Sequence, residues 1–88
     1  VNAAAALEAR AILIVEDERI VAIDIQQTLN DLGYDAFSVA SSADEAMACA
    51  AARRPELVLM DIRINGPRDG IEAAEALKRS FDVPVVFL

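Results

Sequence analysis

Four short apolar runs, separated by three amphipathic stretches, set the plan of this chain. Ala11-Ile12-Leu13-Ile14-Val15 is unbroken and stops at Glu16-Asp17, while Leu57-Val58-Leu59-Met60 stops at Asp61. Apolar runs of this length without alternation read as strands covered on both faces. A further strand over residues 34–39 carries Asp35 and Ser38 and is expected at an edge. Pro84 leads into the last run, Val85-Val86-Phe87-Leu88. Strands 1, 3 and 4 are expected to be central.

The stretches between them carry helical spacing. Over residues 18–32, Ile20, Ile23, Leu29 and Leu32 recur near a period of 3.6, Asp24, Gln27 and Asp31 can face water, and Gly33 is a stop signal. Glu18 fits a helix start favoured by the helix dipole. Ser42 and Glu45 stand at capping-box spacing before an Ala-rich helix ending near Arg53-Arg54, whose charges suit the negative end of a helix dipole, and Pro55 blocks continuation. Asp69 and Glu72 repeat the capping spacing before a third helix, with Ile71, Ala74, Leu77 and Phe81 on one apolar face.

Strand and helix therefore alternate through to a fourth strand. That pattern predicts an α/β fold, a doubly wound parallel sheet with right-handed crossovers. The inferred strand order is 2-1-3-4, which puts the reversal of strand order between strands 1 and 3. Ligands gather at such a point, outside the carboxyl ends of the strands. Glu16, Asp17 and Asp61 would converge there. Two carboxylates at about 4 Å repel by about 4 kcal/mol at an effective dielectric near 20, a large part of a domain's total of roughly 5–15 kcal/mol. Such a trio calls for a cation, a shared proton or a functional reason.

Composition narrows the function classes. The 88 residues make one small domain, 56% hydrophobic, with a formal net charge of -7 that argues against a nucleic-acid surface in this segment. No apolar run approaches a membrane span, and no signal segment opens the chain. With no His and a single Cys, zinc and dithiol chemistry have almost nothing to work with, and Cys49 reads as a small buried hydrophobe. A reducing, cytoplasmic setting is expected. Residues 1–10 read as a linker, a preceding segment or a cloning remnant, and residues 11–88 as the domain.

Three motifs, Ile12-Leu13-Ile14-Val15-Glu16-Asp17-Glu18, Leu57-Val58-Leu59-Met60-Asp61-Ile62-Arg63 and Asp69-Gly70-Ile71-Glu72-Ala73-Ala74, resemble the receiver domain of two-component response regulators in order and spacing. The resemblance implies a flavodoxin-like domain that takes a phosphoryl group from a histidine kinase or histidine phosphotransfer protein and signals to an output domain or downstream protein. It acts as a bacterial signalling switch rather than a metabolic enzyme. By position, the resemblance makes Asp61 the phosphoacceptor and a metal ligand, and Asp17 a direct Mg2+ ligand. Glu16 is the other acidic position, reaching the metal through water, and Arg63 supplies a backbone carbonyl ligand. Mg2+ is the implied cofactor, and no membrane or direct nucleic-acid contact is expected. A hard ion held by few carboxylates and waters suits such a trio, and a carboxylate can accept the group as an aspartyl phosphate.

The chain departs from the family pattern in two regions. Nine positions separate Asp61 from Gly70, one more than the commonest spacing, through Asn65-Gly66-Pro67-Arg68. The family's switch Thr or Ser, its phosphate-pairing Lys and its last strand and two helices, on the order of 30 residues by ordinary element lengths, are expected beyond Leu88. Without them strand 4 would be an open apolar edge, helix 1 would lose a packing neighbour, and self-association, as a homodimer, would follow. Three other readings bear on the same residues. Asp61, Asn65, Gly66, Asp69 and Glu72 fall at EF-hand positions, but Arg63 and Arg68 stand at a ligand and an apolar position, and the preceding segment reads as a strand. A phosphatase using a strand-end Asp nucleophile expects an acid where Arg63 stands. A receiver-like protein–protein platform, unswitched by phosphorylation, stays open.

Overall fold

The computed structural model describes residues 10–64 and 69–88. The reading of residues 1–9, and that of the 65–68 loop, lie outside the described residues. The elements are β1 (Ala11–Val15), α1 (Arg19–Asp31), β2 (Asp35–Ala40), α2 (Ala43–Ala52), β3 (Leu57–Met60), α3 (Gly70–Phe81) and β4 (Val85–Phe87). All strand pairs are parallel, and the order is β2-β1-β3-β4, as the alternation predicts.

Every residue of β1 is buried. Because successive side chains on a strand point to opposite faces, β1 feeds two cores. Leu13 and Val15 join Val58, Met60 and Leu77, with small residues of α2 and α3 such as Ala46, Ala50 and Ala73, on one face. Ile12 and Ile14 pack on the other face with Ile25 and Leu29 of α1. Full burial of each large aliphatic contributes about 1.5–3 kcal/mol, and the alanines let α2 and α3 lie close to the sheet.

Caps fix the helix starts. The Ser42 hydroxyl accepts the Glu45 amide at 3.2 Å, and the Asp69 carboxylate accepts the Glu72 amide at 3.0 Å. The return bond of the first box is displaced by one residue: the Glu45 carboxylate accepts the Ser41 amide at 3.3 Å and the Ser41 hydroxyl at 3.1 Å.

Four expectations need correction. The inner face of α1 is built on Ala22, Ile25 and Leu29, whereas Ile20 is 86%, Ile23 46% and Leu32 69% exposed. Spacing could not choose between two overlapping apolar stripes, and the one containing Ala22 allows the closer approach. Ile71 is likewise half exposed; Ala74 and Leu77 are buried and Phe81 packs on the core as expected, and Ala73 and Ala76 join them in place of Ile71. Strand β4 pairs with β3 alone among the described residues and exposes Val86 and Phe87, the open edge expected of strand 4 in the order 2-1-3-4. Arg53 leaves the end of α2 for β2, pairing with Asp35 and lying 4.5 Å over the Phe37 ring. Cys49, half-buried rather than buried, packs against the core with its Sγ 3.5 Å from the Ser38 hydroxyl.

Candidate metal and phosphoacceptor site

Register brings the acids together. Ile12 pairs with Leu57 and Val15 with Met60, so β1 and β3 end level with each other. The Asp61 amide continues the ladder to the Val15 carbonyl at 2.9 Å, and the Glu16 amide donates to the Ala40 carbonyl at 2.9 Å. Backbone pairing thus fixes where the next side chains leave the sheet. Glu16, Asp17 and Asp61 each place a carboxylate oxygen within 4.8 Å of the others.

Their environments differ. Glu16 is buried, and Asp17 and Asp61 are half-buried. Burial raises the Glu16 carboxyl above the ordinary carboxylate range; the Glu18 amide opposes that shift, while the Asp61 carboxyl and the charges of Asp61 and Asp17 reinforce it. Glu18 precedes α1 and donates its amide to Glu16 Oε1 at 3.1 Å, without capping through its side chain. The Arg63 amide donates to Asp61 Oδ1 at 3.1 Å, and the Arg63 side chain lies in solvent. Neither ion pair among the described residues, Arg10–Glu56 or Arg53–Asp35, involves the trio.

The donor set fits a hard divalent cation. Ligands across an octahedral Mg2+ at 2.0–2.1 Å stand about 4.2 Å apart at most, slightly less than the 4.8 Å limit observed. Two carboxylates binding directly and the third through a water match that span without rebuilding the loops. Beside the trio lies a small hollow of about 140 Å3 lined by Glu16, Asp17, Arg19, Val39, Ser41 and Glu45. A larger one, about 370 Å3, lies at the opposite ends of the strands, between Arg10, Glu56, Val83 and Pro84. The acidic end therefore offers a shallow ion site rather than a deep organic-ligand pocket.

The EF-hand alternative fails on structure, since a strand precedes Asp61 and the Asp69 carboxylate caps α3; its Asn65 and Gly66 lie outside the described residues. Sequence reasoning missed Gly70, whose amide donates to the Ile62 carbonyl at 2.7 Å. A glycine one residue after a cap, close behind an acidic strand end, was the available signal. The Ser41–Glu45 link beside the trio was visible only as a capping pair shifted by one.

Comparison with known proteins agrees with this geometry. The family model for the response regulator receiver domain matches residues 12–88. The phyllosphere-induced regulator PhyR of Methylorubrum extorquens is 38% identical over 81 residues, covering 91% of this chain and 30% of PhyR. The signal receiver domain of a modulated diguanylate cyclase from Desulfovibrio desulfuricans superposes with a TM-score of 0.85 at 38% identity, covering 91% of this chain and 64% of that one. The anti-anti-sigma factor PhyR of Bartonella quintana, solved in complex with the anti-sigma factor NepR, superposes with a TM-score of 0.83 at 30% identity, covering 94% of this chain and 34% of that one. The chain spans only about a third of the length of curated relatives such as these. With the parallel flavodoxin-like sheet, the acidic trio at its switch point and this match in hand, the chain belongs to the response regulator receiver domain family.

Proposed function

We propose that this domain is a phosphorylation switch in which Asp61 accepts a phosphoryl group from a phosphohistidine on a histidine kinase or phosphotransfer protein. The observation that carries the reading is the meeting of three carboxylates within 4.8 Å at the ends of β1 and β3, with no ion-pair partner among the described residues. An Asp61 carboxylate oxygen attacks phosphorus, the phosphorus–nitrogen bond breaks, and the electron pair leaves with the imidazole. Asp17 and Asp61 would hold Mg2+ directly, Glu16 through water, and Arg63 through its backbone carbonyl. Bound there, Mg2+ supplies charge neutralisation for the carboxylates and for the phosphoryl oxygens.

The chain's own groups supply positioning, which carries most of the rate where the transition state is loose. The Asp61–Val15 ladder bond sets the height of the acceptor, and the Arg63 amide orients its carboxylate. The Glu18 amide fixes Glu16. The domain relays a signal and is not a metabolic enzyme. Its setting is cytoplasmic; no helix of the described residues is long and apolar enough to cross a membrane. The PhyR–NepR complex of Bartonella favours a protein rather than nucleic acid as the next partner in the relay.

Incubation with acetyl phosphate and Mg2+, read by intact mass, tests the assignment. The wild-type chain gains one phosphoryl group and Asp61→Asn gains none. Equal uptake by both rejects Asp61 as acceptor.

A further inference from the structure

We propose that Gly70 is a positioning residue for the acceptor, holding Asp61 at its observed height over Glu16 and Asp17 because α3 can press on the acceptor loop only where a side chain is lacking. The inference rests on the phosphoacceptor reading above and names a further residue on which that site depends. A β-carbon at position 70 would stand 2.3 Å from the Asp61 carbonyl oxygen, 2.6 Å from Ile62 Cα and 2.8 Å from the Ile62 carbonyl oxygen. All three are backbone atoms, so no side chain can rotate away. Reaching ordinary contact, near 3.4 Å, requires a shift of about 1 Å between the helix start and the loop.

The loop cannot absorb that shift away from the site. Gly70 opens α3, where a backbone amide ordinarily lacks a helical partner, and here that amide is tied to the Ile62 carbonyl at 2.7 Å. Ile62 lies between Asp61, whose amide holds Val15 at 2.9 Å, and Arg63, whose amide holds the Asp61 carboxylate at 3.1 Å. Displacing Ile62 therefore moves the acceptor carboxylate relative to Glu16 and Asp17. Misplacement on the order of 1 Å can cost a hundredfold in a reaction that depends on positioning.

The test compares Gly70→Ala with Val83→Ala, a truncation of a buried residue just before β4, at the opposite end of the sheet. Mg2+ affinity is measured by calorimetry, backbone amide shifts by NMR without metal, and stability by urea midpoint. Gly70→Ala is expected to shift the amides of Glu16, Asp17, Asp61 and Arg63 and to weaken Mg2+ at least tenfold. Val83→Ala lowers the urea midpoint but keeps Mg2+ affinity within twofold. Gly70→Ala affinity within twofold of wild type, or unmoved amides at the trio, overturns the proposal. If wild type itself takes up no Mg2+, the phosphoacceptor reading falls, and the metal-free amide shifts still decide the positioning claim. If the alanine chain does not fold, an amide-to-ester replacement at residue 70 removes the tie to Ile62 without adding a β-carbon. That chain should weaken Mg2+ at least threefold, and unchanged affinity overturns the proposal.

Discussion

The two ends of the sheet handle charge in opposite ways. At the amino ends of the strands, Arg10 meets Glu56 at 3.2 Å, Glu56 also accepts the Ala11 amide at 3.0 Å, and Arg53 pairs with Asp35 above Phe37. At the carboxyl ends, Glu16, Asp17 and Asp61 crowd together, and neither ion pair of the described residues reaches them. One end satisfies its charges locally. The other carries repulsion that the buried aliphatics of β1 and β3 must offset. A domain keeps such an arrangement where activity rather than stability sets the requirement.

The largest effect should come from breaking the acidic end. Asp17→Ala removes a carboxylate proposed to bind the ion directly, and Mg2+ affinity should fall by at least about tenfold. Calorimetric titration checks this, and an affinity within twofold of wild type would remove Asp17 from the ligand set. Next in size is Glu16→Gln. Taking an unpaired charge out of a buried position should stabilise the metal-free chain by about 1 kcal/mol, read as a higher urea midpoint. Saturating Mg2+ should narrow the difference, because the wild type alone keeps the full donor charge. A lower midpoint without metal would mean that Glu16 is structural.

The acidity dependence sharpens the contrast, since the two ends should respond with opposite sign. Glu16 in the folded chain is held above its ordinary value of 4.5, so just above that value the native state binds a proton the unfolded chain has lost. Its contribution to the metal-free chain is therefore present at low pH and is lost as pH rises through the folded value. Glu56 is held below 4.5, first by the Ala11 amide and then by Arg10. Its contribution is present above 4.5 and is lost as pH falls. Glutamine mimics the protonated acid, so both variants should track wild type at low pH and part from it as pH rises, Glu16→Gln toward a higher urea midpoint and Glu56→Gln toward a lower one; midpoints that part with the same sign would refute the contrast.

Much of this was legible in the chain because strong patterns carried it. The five apolar residues of β1 suit a central strand buried on both faces, and acids directly after two such strands mark the sheet end where the carboxylates meet. The α1 face was not legible in the same way. Ile20 and Ile23 outweigh Ala22 on any hydrophobicity scale, yet Ala22 is fully buried because it lets the helix reach the sheet. Similarly, the Arg53 charge suited a helix end, and only three-dimensional proximity to Asp35 and Phe37 showed where it goes. The need for glycine at position 70 is a property of two backbones meeting, which no local window contains.

Arg53→Ala is a smaller test of the amino end. Its side chain is 53% exposed and its partner's 40%, so solvent screens the pair. An exposed pair contributes roughly 0.2–1 kcal/mol, and a largely solvated guanidinium over the half-buried Phe37 ring about 0.5–1 kcal/mol. Sharing one side chain keeps the two from adding in full. The expected loss is about 1 kcal/mol, with Mg2+ affinity within twofold of wild type. A change in metal binding would show that β2 transmits strain between the ends, through Ala40 and its bond to the Glu16 amide. An unchanged affinity would mean that the paired end stabilises the sheet while the crowded end is read out independently.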